Sequence, residues 1–239
     1  MLKIENLCKN FGEKKAVDNL TLDIADGEIY GFIGHNGAGK TTTIKACTGI
    51  LPFDSGEIFV NGVSIKENPI LCKSQIAYIP DNPDLYEFMT GTQYINFISD
   101  IFNVSSSDRV SRTKALAEVF ELTNDLDKNI ASYSHGMKQK LAIISAWVHE
   151  PKLIIMDEPF VGLDPKASHS LKLMMREFCN KGGSIFFSTH VLEVAEKLCD
   201  KVAIIKNGKL IAHGTMKDVK GDKSLENVFL ELEDGGQNV

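Results

Sequence analysis

An α/β fold built on a mainly parallel sheet is what this 239-residue sequence predicts, and three observations carry the prediction. From Leu153 onward, strand-like and helix-like segments alternate, the pattern of parallel strands joined by helices that cover the sheet faces. A glycine-rich loop, Gly34-His35-Asn36-Gly37-Ala38-Gly39-Lys40-Thr41, stands between an apolar run of strand type and the helix-forming Thr42-Thr43-Ile44-Lys45-Ala46-Cys47. Residues 85–149 change to a helical pattern and read as an insertion between two strands of the sheet. The length predicts one large domain, or a core with a subdomain, able to bury a substantial interior.

The elements follow in order. Ile4-Glu5-Asn6-Leu7, Leu20-Thr21-Leu22-Asp23-Ile24 and Glu57-Ile58-Phe59-Val60 alternate in polarity and break at Asp26-Gly27 and Asn61-Gly62, as strands bounded by turns do. Ile29-Tyr30-Gly31-Phe32-Ile33 is apolar throughout, the pattern of a short buried strand. In the helical block, residues 112–120 place Ala115, Leu116, Val119 and Phe120 on one predicted face. Ser134 is a good N-cap and Gly136 a first-turn residue ahead of the apolar run 141–147, so a helix starts there. Residues 153–156 read as a buried strand, 167–180 as a helix, 184–188 as a strand and 191–199 as a helix. Residues 202–206 and 209–213 pair through the hairpin turn Asn207-Gly208. Asp234-Gly235-Gly236-Gln237-Asn238 reads as a loose tail.

Composition narrows the function classes. The net charge is −6 and no arginine-lysine block stands out, which speaks against nucleic acid as a partner. The longest apolar runs fall far short of the ~18 residues of a membrane-spanning helix. The N-terminus, Met1-Leu2-Lys3-Ile4-Glu5-Asn6, lacks the apolar core of a signal peptide. Cys8, Cys47, Cys72, Cys179 and Cys199 have no metal or redox spacing, and read as small buried apolar residues in a reducing cytosol. A soluble intracellular protein is the expectation.

Two constellations carry chemistry. The glycines of the loop let successive N–H groups converge on one concavity suited to a phosphate, and the helix behind adds its positive dipole end. Lys40 would reach the outer phosphates and the Thr41 hydroxyl would help to hold Mg²⁺. A glycine-rich turn that merely matches is the plain alternative. By average composition, its four fixed positions coincide in such a chain on the order of once in a hundred. The second constellation is Leu153-Ile154-Ile155-Met156-Asp157-Glu158-Pro159, an apolar strand ending in two acids. Chemistry collects at the carboxyl ends of strands in an open parallel sheet. Neighbouring strand residues point to opposite sides, so separate roles are expected: Asp157 as a magnesium partner beside Thr41, Glu158 as the group that takes a proton from the attacking water. A solvated pair of acids capping the strand is the alternative. His190 ends the strand 184–188 and would lie at the same edge, placed to contact a γ-phosphate or orient the water. By itself the glycine loop suits a kinase, a GTPase or a motor.

Together, in this order, the motifs resemble those of the nucleotide-binding subunit of an ATP-binding cassette (ABC) transporter, over residues of about 2 to 232. Gly34 to Thr41 is similar to the Walker A loop, Ser134-His135-Gly136-Met137 to the signature, residues 153–158 to the Walker B strand, Gly162-Leu163-Asp164 to the D-loop and His190 to the switch histidine. The resemblance implies a P-loop NTPase core with a mainly parallel sheet, an N-terminal antiparallel β subdomain and an inserted α-helical subdomain. Core and β subdomain would take about 1–84 and 150–220, the helical signature subdomain about 85–149, and a C-terminal helix and tail about 221–239. It implies ATP and Mg²⁺ as cofactors. The Walker A residues Gly34, His35, Asn36, Gly37, Ala38, Gly39, Lys40, Thr41 and the adjoining Thr42 would hold ATP, and Phe11 would stack on adenine. Two cassettes, identical or different, would associate head to tail, each ATP lying between one Walker A loop and the partner's Ser134 and Gly136. Separate transmembrane permease subunits would place the protein at the inner face of the cell membrane.

The chain departs from the family pattern at three places. Asp81 follows Ile79-Pro80 where the Q-loop glutamine is usual, and would meet the metal with an added charge. His135 replaces a glycine of the signature and Met137 a glutamine. These variants, and the tail Ser224-Leu225-Glu226-Asn227-Val228-Phe229-Leu230-Glu231-Leu232, resemble exporter-type cassettes, so export is favoured over uptake. A soluble cassette protein of translation or DNA repair, and an ATP-gated regulatory module with little turnover, are the competing readings.

Overall fold

The computed structural model describes residues 1–233 and contains two sheets. The first is antiparallel: β1 (Leu2–Phe11), β2 (Lys14–Ile24), β4 (Ser55–Val60) and β5 (Val63–Ser64) in the order β2-β1-β4-β5. The second has six strands: β3 (Ile29–Ile33), β6 (Ile76–Ile79), β7 (Leu153–Asp157), β8 (Ser184–Thr189), β9 (Lys201–Lys206) and β10 (Lys209–Thr215). Their order is β10-β9-β3-β8-β7-β6, all parallel except β10, which returns antiparallel along β9. This is the P-loop NTPase arrangement with an antiparallel β-sheet beside it.

The apolar runs have a direct cause. β3, β7 and β8 are buried at every position, because both faces of the parallel sheet are covered. Ile29, Ile33, Ile154, Met156, Ile185 and Phe187 enter one core with the helices. Tyr30, Phe32, Leu153, Ile155 and Phe186 enter the other, shared with the antiparallel sheet and with α1 (Lys40–Cys47). Each fully buried large side chain contributes roughly 1.5–3 kcal/mol. Phe186 also packs on Phe32 with ring centroids 5.4 Å apart.

Between β6 and β7 run α3 (Gly91–Ile101), α4 (Ser106–Val119) and α5 (His135–Val148). Each is capped by a hydroxyl. Thr90 forms a capping box with Gln93, Ser105 accepts from the Asp108 N–H, and Ser134 accepts from the Met137 N–H at 3.3 Å. The predicted face of α4 needs correction. Phe120 and Ala117 are buried and Leu116 half-buried, but Ala115 and Val119 are exposed. They sit on the rim of a groove of about 770 Å³ beside Trp147 and Phe178. Apolar residues span two adjacent stripes of α4, and only the neighbouring helices decide which stripe is covered.

After β7 come α6 (Pro165–Asn180), β8, and α7 (Leu192–Leu198), one residue shorter at each end than the sequence predicts. β9 and β10 join through Asn207 and Gly208, both at positive φ (48° and 80°), as a two-residue hairpin requires. The short α2 (Pro69–Lys73) and α8 (Met216–Lys220) were not predicted, and α9 (Leu225–Glu233) closes the described chain. The predicted loose tail at 234–238 lies outside the described residues. Four cysteines are buried and Cys8 is half-buried; all are free thiols. Among the described residues no helix is long and apolar enough to cross a membrane.

Candidate functional site

The carboxyl ends of β3, β6, β7 and β8 share one edge of the parallel sheet, where an open α/β sheet offers its crevice. The glycine loop leaves β3 there, Asp81 follows β6, Asp157 and Glu158 end β7, and His190 follows β8. Parallel register, not sequence proximity, assembles the site.

The loop is shaped by its glycines. A Cβ at Gly34 would lie 2.5 Å from the Ile205 carbonyl oxygen, and one at Gly39 would lie 2.4 Å from that of Ala16. Gly39 is also the N-cap of α1, with φ +114° and no side-chain cap for the first-turn donors. Those N–H groups need a partner, and an anion supplies one. Lys40 begins α1, earlier than the Thr42 start predicted, and is only 6% exposed. Its Nζ donates to the Gly34 and His35 carbonyls at 2.6 and 3.3 Å, and lies 3.5 Å from Glu158 Oε1. A cavity of about 380 Å³ opens over the loop. His35, Asn36, Gly37, Gly39, Lys40, Thr41 and Thr42 form its floor, while Asp81, Asp157 and Glu158 form one wall and Phe11, at the end of β1, stands at its border. Ala38 is buried behind the loop and accepts, through its carbonyl, the Gly208 N–H.

The two acids line the same cavity, which corrects the expectation that they face opposite ways. The strand ends at Asp157, and Glu158 turns into the left-handed region at φ +47°, so the alternation stops one residue too early to separate them. Asp157 is 2% exposed and accepts a hydrogen bond from the Ser188 hydroxyl. Glu158 Oε2 lies 3.0 Å from His190 Nδ1 and accepts the His190 N–H at 3.3 Å. Its Oε1 is buried, faces Lys40, and has no hydrogen-bond partner. A buried acceptor left open beside a lysine is poised to receive a proton or a donor from a bound molecule. Partial burial, then the charges of Asp157 and Glu158, push the Asp81 carboxyl above its ordinary value. A cation would relieve the crowding of three acids.

Ser134 and Gly136 are not in this cavity. They start α5 against the loop that follows β7: a Cβ on Gly136 would lie 2.7 Å from the Gly162 carbonyl oxygen. The same loop is tied to α5 by Lys140 Nζ to Asp164 Oδ2 at 2.7 Å, and by Gln139 Nε2 donating to the Pro159 carbonyl at 3.3 Å. Asp164 in turn caps α6 through the Ala167 N–H at 2.8 Å. Sequence reasoning missed Lys14 and Ala16, which line the cavity, and Ser188, which binds both acids. For Ser188 a signal existed: a hydroxyl in an otherwise apolar, buried strand needs a partner.

A glycine loop with a buried lysine, facing strand-end acids across a parallel sheet, defines the class of P-loop nucleotide-binding proteins. A sequence-family profile described as "ABC transporter" matches residues 17–161. The ABC-type transporter ATP-binding protein EcsA of Bacillus subtilis is 35% identical over 99% of this chain and 98% of its own length. The linearmycin resistance ATP-binding protein LnrL of the same organism is 34% identical over 92% of this chain and 70% of its own. Among solved structures, an ATP-binding subunit of an ABC transporter superposes with a TM-score of 0.94 at 36% identity, covering 98% of this chain and 99% of that one. The chain belongs to the ABC transporter family, as an ATP-binding subunit.

Proposed function

We propose that this chain hydrolyses ATP to drive a membrane exporter. The supporting observation is the half-buried Glu158 carboxylate, held between Lys40 and His190 with its buried Oε1 open and sharing its cavity with Asp157. The loop N–H groups, Lys40, Thr41 and Thr42 bind the phosphates, and Phe11 at the cavity border stacks on adenine. Thr41, Asp157 and Asp81 would hold Mg²⁺, whose charge would offset that of the phosphates. Glu158 Oε1 takes the proton of the attacking water, and His190 orients that carboxylate through Oε2 and senses the γ-phosphate.

Ser134 and Gly136 lie outside their own chain's cavity, which supports a head-to-tail dimer in which they cover the partner's ATP. Nucleotide then bridges two cassettes, and hydrolysis releases them. Permease subunits on other polypeptides carry the substrate and hold the cassette at the inner membrane face. The Asp81, His135 and Met137 variants, the residue 224–232 tail, and a relative named for linearmycin resistance support export. Asp81 favours a second reading, an ATP-gated module with slow turnover, because it adds a charge where ATP is anionic; the steady-state ATPase rate separates the two.

The test is Glu158→Gln. The variant is expected to form an ATP-stabilised dimer on size exclusion with turnover reduced about 10²–10⁴-fold, the range for a general base. A chain that stays monomeric at saturating ATP and magnesium refutes the shared site. Co-purification with a membrane polypeptide tests the transport role, and its failure would favour a soluble cassette protein.

A further inference from the structure

We propose that Ser188 is a positioning residue that sets the geometry of both strand-end acids; the inference rests on the ATPase reading above. Ser188 stands opposite Asp157 in the β7–β8 register and is fully buried. Its neighbours Ile185, Phe186 and Phe187 are apolar and equally buried, so a hydroxyl here is costly unless bonded. Both of its capacities are used. The hydroxyl donates to Asp157 Oδ1 and accepts the Glu158 N–H at 3.1 Å.

Each bond has a consequence. Donation to Oδ1 fixes the rotation of the Asp157 carboxylate at the back of the cavity. The Glu158 N–H is shared between the Ser188 hydroxyl and the Ser188 carbonyl, at 3.1 and 3.2 Å. That shared bond anchors Glu158 at φ +47°, a conformation a β-carbon disfavours and the one that turns its side chain into the cavity. Two residues further along the same chain, His190 meets the other end of the same carboxylate at 3.0 Å. The end of β8 and the residue that follows it thus hold Asp157, the backbone of Glu158 and the side chain of Glu158 in a single frame. With alanine at 188, Asp157 Oδ1 would lose its donor and the Glu158 N–H would keep only the carbonyl.

The experiment compares Ser188→Ala, Ser188→Thr and Ser188→Val in the full chain. Affinity for a fluorescent ATP analogue is measured in EDTA and across a magnesium titration, with kcat and KM alongside. Loss of the hydroxyl in the alanine variant is expected to raise half-saturating Mg²⁺, and to lower kcat, by about 10- to 100-fold, the usual effect of removing a group that orients a metal ligand. Affinity in EDTA should stay near wild type, since the glycine loop is untouched. Threonine should restore both quantities and valine, its near-isostere, should not; this pair gives the contrast even if the alanine variant is unstable. Wild-type magnesium dependence and kcat in the alanine or valine variant overturn the inference, as does equal impairment of threonine and valine. A wild-type chain that neither gains affinity with Mg²⁺ nor turns ATP over overturns the ATPase reading, and this inference with it.

Discussion

Replacing Gly39 by alanine should damage the nucleotide loop far more than the same change at Gly37, two residues away in the same motif. Both glycines have positive φ, +82° at Gly37 and +114° at Gly39. At Gly37 a Cβ meets nothing within 4 Å, so the cost is the dihedral alone, about 1–2 kcal/mol. At Gly39 the Cβ would stand 2.4 Å from the Ala16 carbonyl oxygen and 3.2 Å from Ile205 Cδ1. The carbonyl belongs to β2 and the isoleucine to β9, so neither can yield without moving a strand. Adding ~1–3 kcal/mol for overpacking to a more strained dihedral gives about 3–5 kcal/mol. For a chain of this size each kcal/mol lowers Tm by about 2–4 °C, which predicts a drop of about 2–8 °C for Gly37→Ala and about 6–20 °C for Gly39→Ala. Thermal unfolding measures the first quantity, and titration with a fluorescent ATP analogue the second. Gly39→Ala should lose affinity because Gly39 caps α1 at the proposed phosphate site. Equal Tm losses in the two variants would refute the steric argument, and unchanged ATP affinity in Gly39→Ala would refute the loop as the phosphate site.

Ser134→Ala removes the cap of α5 and should cost about 0.5–2 kcal/mol in stability. Steady-state ATPase activity should nevertheless fall well beyond what that loss explains; full activity would leave Ser134 as a helix cap and nothing more. His149 stacks on Phe102 with centroids 3.7 Å apart, and burial lowers its pKa from 6.5 to about 4. Between those values the unfolded chain binds the proton and the folded chain does not, so stability is complete above pH 6.5 and falls as the pH drops toward 4, by up to about 3 kcal/mol. His149→Phe keeps the stack, removes the buried and unpartnered Nδ1, and should flatten that part of the profile in urea melts at pH 7 and pH 5. An unchanged slope would mean that another group carries it.

Much of the architecture was legible because local chemistry dictates it. The short, uniformly apolar Ile29-Tyr30-Gly31-Phe32-Ile33 and 153–156 read as strands covered on both faces, and the structure covers them. Gly34 to Thr41 announces a phosphate loop because strand, glycines and lysine are contiguous. Ser134 announces a helix start because capping acts within one turn. The face of α4 was not legible, since Ala115, Leu116, Val119 and Phe120 are all apolar and the choice among them depends on α5 and its neighbours.

The site divides in the same way. Residue types at the strand ends, Asp157, Glu158 and His190, follow from the sequence, because each closes an apolar run with a polar group. That both acids enter one cavity does not follow. It depends on Glu158 adopting φ +47°, and that conformation is held by Ser188 from an adjacent strand 30 residues away. Hydrophobic period, capping and glycine freedom operate over a few residues, so they mark most strands and helices in the sequence, though not α2 and α8, and the side chains proposed to carry chemistry. Tertiary structure alone decided where those side chains point, because strand pairing and buried hydrogen bonds join residues that the chain keeps far apart.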